Sequence, residues 1–252
     1  MKIVLGQPGG YGDLFFCAPI AKHYAEAGYE VFWPVGDEHF SIVEKFPYVT
    51  PIRLPDFTFV EHDDPREVKM ISKVIMGMQL AEQMEAEFLN LADRPIPSSM
   101  PDPCARCGHK ETPEEKKYRV SEVPWEKKYT LEWTRDIEKE NELFDLVTES
   151  KDYIFCHLDQ SDGTTCALPD STDNRNIVKC VPIDGYNILD WYRVIIEASE
   201  IYCIESSIQC FVDGLGDSIK SEKYLLSTKG SKTMTNSPAW NKKFIPTTQG
   251  ES

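Results

Sequence analysis

The stretch MKIVLGQPGGYGDLFFCAP, residues 1–19, decides the fold class of this chain. It opens with an apolar run, Ile3–Leu5, of the kind found in β-strands that are buried on both faces. Glycines then fill a short turn, and from Leu14 onward apolar residues recur at helical spacing. The order of strand, glycine-rich turn and helix predicts an α/β unit. The helix N-terminus, with its unpaired N–H groups and the positive end of the helix dipole, favours an anion or a hydroxylic ligand.

Three glycines of this turn, Gly9, Gly10 and Gly12, permit a positive φ and a close approach of the backbone to a ligand. Their spacing is not the G-x-G-x-x-G of dinucleotide-binding folds, and the Lys-Ser/Thr of a P-loop is missing. We therefore expect a ligand loop over residues 6–13, at the carboxyl edge of a parallel sheet.

Alternating strand and helix patterns predict where the remaining elements lie in the sequence. Residues 30–34 predict a second strand, which should lie parallel and adjacent to the first because a helix connects them. After Asp56 the pattern weakens, and residues 94–130 form an irregular excursion that begins rich in proline and then becomes charged. The alternation returns with a buried strand at Tyr153–Leu158 and continues to a last strand at Lys223–Leu226.

These patterns predict an α/β protein with two Rossmann-like halves facing a cleft. The N-terminal half spans residues 1–148 and ends with an amphipathic helix over Trp133–Val147, whose apolar residues from Ile137 onward should point inward. The C-terminal half spans residues 149–252. Its polar tail from Lys229 onward has no obvious element, and we expect it to be loosely packed or draped across the N-terminal half.

The composition argues against two classes of partner. The 252 residues carry 42 acidic and 27 basic side chains, a formal net charge of -15, which repels nucleic acid and anionic lipid. No stretch approaches the roughly 20 apolar residues of a membrane span, and Met1 leads directly into a strand pattern instead of a signal peptide. We expect a cytoplasmic protein with no nucleic-acid partner and no integral membrane segment.

The eight cysteines indicate reduced thiols rather than disulfides. Cys17 and Cys156 are among those within apolar runs, where free cysteine behaves as a small hydrophobic residue. Cys104 and Cys107, followed by His109, have the C-x2-C spacing of half a zinc site. The second half of such a site is missing from the sequence. We expect these three residues to lie in a solvated loop without a metal. The alternative is that they bind zinc.

A second turn of the same kind follows the strand pattern at Glu200–Ile204. It reads Glu205-Ser206-Ser207 and leads into a helix pattern. Serine is a good N-cap, so one interpretation is a satisfied helix terminus. The other is a diphosphate site, in which Ser206, Ser207 and the exposed N–H groups bind the phosphates, with Glu205 near the attached sugar or ribose. The residues alone leave both interpretations open.

Together the two turns resemble a known family. Gly12-Asp13 followed by Leu14–Pro19 is similar to the opening of the heptosyltransferase-like glycosyltransferases of the GT-B fold, glycosyltransferase family 9. The run from Asn187 to Ser207 is similar to the donor-binding carboxyl half of that family. The resemblance implies two Rossmann-like domains, a nucleotide-sugar donor and a glycan or another hydroxyl acceptor.

The resemblance also implies a role for Asp13, which stands where the family has the aspartate that deprotonates the acceptor hydroxyl. From the residues alone, Asp13 could instead cap the helix. The implied reaction is transfer from a nucleotide-diphosphate sugar with inversion, without a metal or another cofactor. Two departures concern the donor, since Glu205 replaces the family's usual aspartate and Ser207 replaces a frequent glycine.

A basic residue for the diphosphate is missing from the second turn. Lys179, Arg135 and Lys2 are candidates to supply it, and the residues do not decide among them. His157 ends a predicted buried strand, where it either contacts the donor or serves as a structural hydrogen-bond partner. The predicted donor site consists of Glu205, Ser206, Ser207, His157 and Lys179.

Two other functions fit the same patterns. A Rossmann-type dinucleotide-dependent oxidoreductase would use the glycine turn for a pyrophosphate. Against it, the acidic residue expected at the end of the second strand is replaced by Trp33-Pro34-Val35, and only Asp37 lies nearby. A non-catalytic module that binds a nucleotide or a carbohydrate would keep the fold without turnover.

Overall fold

The chain divides into two α/β units, Met1–Thr134 and Arg135–Ser252. A computed structural model describes residues 1–56, 58, 65–92, 112–159, 165–172, 174–227 and 240–244. The zinc candidates Cys104, Cys107 and His109 lie outside the described residues, as does the proline-rich start of the irregular excursion.

The first unit is built on a parallel sheet. Its elements, in chain order, are β1 (Lys2–Gly6), α1 (Tyr11–Glu26), β2 (Glu30–Val35), α2 (Asp37–Val43), β3 (Thr50–Arg53), α3 (Pro65–Gln83), β4 (Glu87–Asn90) and α4 (Pro113–Val120), followed by a 3-10 turn at Trp125–Tyr129. The strand order is β3-β2-β1-β4, with parallel pairing throughout the described sheet. The parallel pairing of β1 with β2 confirms the sequence prediction.

Two features of this sheet differ from the sequence prediction. The helix α1 begins at Tyr11, so Gly12 lies in the first helical turn and not in the loop. The strand β4 was not predicted, because its four residues are too few to show a clear alternation. It pairs with β1 through Val4 and Phe88, and it therefore completes the sheet beside the glycine turn.

The second unit contains a second parallel sheet. Its elements, in chain order, are α5 (Ile137–Val147), β5 (Ile154–His157), β6 (Ile177–Lys179), α6 (Tyr192–Ile196), β7 (Glu200–Ile204), α7 (Ser207–Gly214), β8 (Glu222–Ser227) and β9 (Trp240–Phe244), with 3-10 turns at Asp170–Thr172, Ile188–Trp191 and Gly216–Ser218. The strand order is β6-β5-β7-β8-β9, and the described pairings are parallel. Two parallel sheets with connecting helices confirm the predicted α/β class.

The boundary between the units precedes α5, whereas the sequence analysis placed it after residue 148. The helix packs within the second unit, where the Phe144 ring centroid lies 6.3 Å from that of Tyr153. Leu143 is fully buried, as predicted. Ile137 is 51% exposed and does not point inward, because it stands at the first position of the helix, before the buried stripe begins.

Residues 240–244 do not fit the expectation of a loosely packed tail, and the rest of the tail from Lys229 onward lies outside the described residues. Residues 240–244 form β9, which pairs with β8 in parallel register, Leu225 opposite Lys242. Trp240 is buried at the start of this strand. The polar centre of the segment, Asn-Lys-Lys, lacks the apolar alternation that signals a strand. In the described sheet β9 is an edge strand, a position where lysine is common.

Two expectations drawn from the composition, on the cysteines and on membrane spans, can be compared with the described residues. The six described cysteines are free and buried, in agreement with reduced core thiols. Burial raises the pKa of Cys17 and of Cys156 to about 12, so both thiols are protonated and unreactive at neutral pH. None of the helices in the described ranges has both the length and the apolar character needed to cross a lipid bilayer.

Candidate functional site

The loop between β1 and α1 is held in a defined shape by its own contacts. A Cβ at Gly6 would lie 2.5 Å from Phe88 Cζ, so the end of β1 admits only glycine beneath that ring. Trp33 Nε1 donates a 3.0 Å hydrogen bond to the Gln7 carbonyl, and Gln7 Nε2 donates to the Gly9 carbonyl at 3.3 Å. The loop is thus fixed at the carboxyl edge of the first sheet, where α/β folds bind ligands.

Asp13 lies in the first turn of α1 and does not cap it. The N-cap position is Gly10, at φ 71°, and no side chain caps this helix. Asp13 Oδ1 lies 3.1 Å from Lys117 Nζ, and a Cβ at Gly10 would lie 2.8 Å from Asp13 Oδ2. The Asp13 side chain is 37% exposed, so the carboxylate is held by a cation and still reaches solvent. The alternative in which Asp13 caps the helix is therefore wrong.

Lys117 is a buried cation that the sequence analysis did not identify. It lies on α4, which begins with a capping box of Thr112 and Glu115. Its side chain is 2% exposed, and Nζ donates a 2.8 Å hydrogen bond to the Leu91 carbonyl just beyond β4. The charged run that contains Lys117 shows no apolar periodicity that would indicate this burial. Four residues of the charged run 114–121 share one helical face, and all four are buried: Glu114, Lys117, Tyr118 and Ser121.

Charged residues of the first unit affect the pKa of the buried Cys17 thiol. Burial raises the pKa of Cys17, while Lys117 opposes the rise and the carboxylates of Asp13 and Glu114 reinforce it. Glu114 itself pairs with Lys128, whose Nζ lies 2.8 Å from Glu114 Oε1, and both side chains are buried. The Asp13 carboxylate therefore lies at the solvent-exposed end of a largely buried charge cluster, defined here as Asp13, Lys117, Glu114 and Lys128.

A second group of charges lies at the carboxyl end of β2. The buried Lys73 Nζ donates a 2.7 Å hydrogen bond to Glu38 Oε1. A Cβ at Gly36 would lie 2.1 Å from Lys73 Nζ, so a larger residue there would displace the end of the Lys73 side chain. Asp37, the acid that a dinucleotide site would use, instead contacts Arg53 Nη1 at 2.5 Å. The two carboxylates that follow β2, Asp37 and Glu38, are thus each already paired with a basic side chain.

The predicted donor residues come to one edge of the second sheet. Strand register places Lys179 opposite Cys156 and places His157 opposite Cys203. Lys179, His157 and the turn that follows Ile204 therefore lie at the carboxyl ends of three neighbouring strands, β6, β5 and β7. This is the edge at which parallel sheets bind their ligands.

In the turn after β7, the two serines differ. Ser206 is the N-cap of α7, and its Oγ accepts a 3.3 Å hydrogen bond from the Gln209 amide. The capping interpretation is therefore confirmed for Ser206. Ser207 is the first residue of α7, and within the described part of the chain its hydroxyl makes no hydrogen bond. Glu205, half-buried, precedes both serines. The hydroxyl available to a ligand is thus that of Ser207.

His157 ends β5 in a half-buried position. Burial lowers the pKa of this imidazole below its usual 6.5, and the charge of Asp159 opposes the shift only in part. The ring is therefore neutral at pH 7. Its Nδ1 is buried and, among the described residues, has no hydrogen-bond partner. A neutral histidine in this place can donate or accept a hydrogen bond, but it does not attract a diphosphate by charge.

Of the three candidate cations for a diphosphate, two are placed elsewhere. Lys2 begins β1 and therefore lies at the amino edge of the first sheet. Arg135 makes two hydrogen bonds to the buried Glu140, at 2.8 and 2.5 Å, and its guanidinium lies 4.1 Å from the ring centroid of Tyr192. Arg135 is thus a structural residue. Lys179, exposed at the carboxyl edge of the second sheet, is the one of the three that a phosphate could reach.

Several solved glycosyltransferases are similar to this chain in structure. The glycosyl transferase of family 9 from Veillonella parvula is 8% identical, with a TM-score of 0.57 over 96% of this chain and 86% of that chain. The E. coli heptosyltransferase WaaC with ADP is 10% identical, with a TM-score of 0.54 over 98% of this chain and 94% of that chain. WaaC with ADP-2-deoxy-2-fluoro heptose is 9% identical, with a TM-score of 0.51 over the same shares, 98% and 94%.

Sequence comparison adds nothing to these structural similarities, since no protein-family model and no curated protein matches the chain. Identities of 8 to 10% establish a shared fold and do not by themselves establish a shared reaction. The chain therefore shares its fold with these solved glycosyltransferases, one of which belongs to family 9.

Proposed function

We propose that this chain is a glycosyltransferase that moves a sugar from a nucleotide-diphosphate donor to a hydroxyl acceptor, with inversion and without a metal ion. The observation that carries the proposal is the Asp13 carboxylate. It stands in the first turn of α1, beside a glycine loop at the carboxyl edge of the first sheet, paired with Lys117 and still exposed to solvent.

In the proposed reaction, Asp13 accepts the proton of the acceptor hydroxyl as its oxygen attacks the anomeric carbon. The bond between that carbon and the diphosphate oxygen breaks, and the nucleoside diphosphate leaves with the electron pair. A single displacement of this kind inverts the anomeric centre. The ion pair with Lys117 holds one carboxylate oxygen of Asp13 in place during this step.

On the donor side, the turn after β7 is the proposed diphosphate site. The Ser207 hydroxyl and the first N–H groups of α7 would bind the phosphate oxygens, and the positive end of the helix dipole would offset the charge on the leaving group. Lys179 and the neutral His157 lie at the same sheet edge and would add a charge and a hydrogen bond. Glu205 would contact a hydroxyl of the sugar or of the ribose.

One structural neighbour is a heptosyltransferase with bound ADP, so ADP-linked sugars are the first donors to test. The acceptor is proposed to be a glycan or another hydroxyl compound. The cytoplasmic location and the lack of a nucleic-acid partner stay predictions from the sequence.

The oxidoreductase alternative loses support at the end of β2. Dinucleotide folds use a free carboxylate there to bind the ribose hydroxyls. Here Asp37 contacts Arg53 and Glu38 contacts Lys73. The binding-module alternative differs from the transferase only in turnover, so an activity assay decides between them.

The experiment is a panel of ADP-, GDP- and UDP-sugars, with NAD as comparison, in a thermal-shift assay followed by measurement of nucleoside diphosphate release with glycan acceptors. We expect stabilisation by one nucleoside diphosphate class, and release that falls about 100-fold or more in Asp13→Asn. Asp37→Asn is the matched control and should leave release unchanged. Stabilisation by NAD alone, or release that is equal in wild type and Asp13→Asn, would overturn the proposal.

A further inference from the structure

The environment of Lys117 is unusual for a lysine. Its ammonium group is almost fully buried, with 2% of the side chain exposed, and burial of a charge is costly unless close partners satisfy it. Two of its partners lie close by. The Leu91 carbonyl accepts a 2.8 Å hydrogen bond, and Asp13 Oδ1 lies 3.1 Å away.

The two oxygens of Asp13 have different surroundings. Oδ1 contacts the Lys117 ammonium. Oδ2 lies beside Gly10, where a Cβ would come within 2.8 Å, and in the described residues it makes no hydrogen bond. The contact with Lys117 therefore fixes the plane of the carboxylate and leaves Oδ2 on the side of the glycine loop.

The position of Lys117 relative to Asp13 is set by a contact between α4 and α1. The next residue, Tyr118, is buried, and its hydroxyl donates a 3.1 Å hydrogen bond to the Phe16 carbonyl on α1. This bond links the backbone of α1 to the helix that carries Lys117. The buried pair of Glu114 and Lys128 supports the same helix one turn earlier. The ammonium group is thus held by a rigid frame rather than by a flexible surface side chain.

From this geometry we infer that Lys117 is the positioning residue of the catalytic base: it orients the Asp13 carboxylate with Oδ2 toward the acceptor hydroxyl. The inference rests on the proposed function, because it assigns Asp13 the role of base. The inference assigns a positioning role to Lys117, which lies far from Asp13 in sequence and acts on the acceptor only through Asp13. The proposed effect of Lys117 is exerted through its ion pair with Asp13, so a variant that keeps the charge differs from one that removes it.

Four proteins test this: wild type, Lys117→Gln, Lys117→Arg and the control Lys127→Gln. Glutamine keeps a donor for the Leu91 carbonyl and removes the charge. Lys127 pairs with Glu26 on the surface at 3.3 Å, which makes it a matched control outside the charge cluster. The readout is kcat and KM for nucleoside diphosphate release from whichever ADP-, GDP- or UDP-sugar the wild type turns over, with thermal unfolding as the check on folding.

We expect Lys117→Gln to lower kcat about tenfold or more with little change in KM. Lys117→Arg keeps the charge, and its kcat should be reduced at least about threefold because a guanidinium cannot reproduce both of these contacts of the ammonium. Lys127→Gln should match the wild type.

The outcomes separate this inference from the transferase proposal. If Lys117→Gln unfolds more readily but keeps the kcat of the wild type, Lys117 is structural only and the inference is overturned while the transferase stands. If Lys117→Gln does not fold, Lys117→Arg decides, and a kcat equal to that of the wild type overturns the inference. If the wild type turns over no nucleotide sugar, both proposals are overturned.

Discussion

Trp240 Nε1 donates a 3.0 Å hydrogen bond to Asp213 Oδ1, and both groups are buried. The contact links β9, the last described strand, to α7, the helix that carries the proposed diphosphate site. The C-terminal segment therefore supports the donor side of the molecule through a directional bond as well as through strand pairing.

The first prediction concerns this bond. Trp240→Phe removes the donor and leaves a buried carboxylate oxygen with one partner fewer, so the free energy of unfolding should fall by about 1–3 kcal/mol in urea denaturation. Trp191→Phe is the control, because Trp191 is also buried and its indole makes no hydrogen bond within the described ranges. Equal losses in the two variants would show that ring volume, and not the hydrogen bond, accounts for the effect.

The second prediction uses two glycines with positive φ. Gly10 at φ 71° and Gly28 at φ 88° should each lose about 1–2 kcal/mol of stability on replacement by alanine. They differ in surroundings, since a Cβ at Gly10 would press on Asp13 Oδ2 and one at Gly28 meets nothing within 4 Å. Nucleoside diphosphate release should therefore fall at least about tenfold in Gly10→Ala and stay unchanged in Gly28→Ala. Equal activity in the two variants would contradict a role for the Asp13 geometry.

The third prediction is a pH dependence of stability. Burial raises the pKa of Glu38, but the hydrogen bond from Lys73 and the charges of Lys73 and Lys69 outweigh it, and the pKa falls from 4.5 to about 2. Because the folded protein holds this proton less tightly than the unfolded chain, the stabilisation is present above pH 4.5 and is lost as the pH falls toward 2.

The measurement is the midpoint of thermal unfolding of wild type and Glu38→Gln between pH 6 and pH 2.5. The difference in unfolding midpoint between the two proteins should become smaller as the pH falls through this window. Asp37→Asn removes one partner of an exposed ion pair, so its midpoint should differ less from that of the wild type. If the difference between wild type and Glu38→Gln stays constant with pH, Glu38 acts through packing alone.

The fourth prediction concerns the buried pair of Glu114 and Lys128. Lys128→Met removes the cation that lies 2.8 Å from the buried Glu114 carboxylate, and the expected loss is about 3–5 kcal/mol in urea denaturation. Glu114→Leu together with Lys128→Met should recover much of this loss, because both charges of this pair are then removed. Lys22→Met is the control, since its pair with Glu132 is partly exposed and should contribute less than about 1 kcal/mol. A loss in Lys128→Met no larger than in Lys22→Met would contradict the burial of this charge.

The sequence predicted those parts of the molecule that depend on local patterns. The apolar run Ile3–Leu5, the glycines after it and the serine turn at Ser206 each specify an element without reference to the rest of the chain. Lys117 could not be found in this way, because the run Glu-Glu-Lys-Lys that contains it has the composition of a solvated surface. Its burial depends on β4 and α1, which pack against α4 only in the folded unit.

The two strands that the sequence did not reveal have related physical reasons. The strand β4 is short and half-buried, and β9 is a polar edge strand, so neither carries the apolar alternation that marks a strand. Both are specified by the neighbour with which they pair, β1 in one sheet and β8 in the other. A pattern confined to the strand itself does not contain that information.

The last prediction separates the two serines of the turn after β7. Ser206→Ala removes the N-cap of α7 and should lower the free energy of unfolding by about 1 kcal/mol. Ser207→Ala removes a hydroxyl that makes no hydrogen bond within the described part of the chain, so stability should stay unchanged. If that hydroxyl binds a phosphate oxygen, the Kd for ADP, GDP or UDP, measured by calorimetry for whichever nucleotide binds, should rise about tenfold. Ser207→Ala with the Kd of the wild type would place the diphosphate elsewhere, because at this turn no other side-chain hydroxyl is left uncommitted by capping.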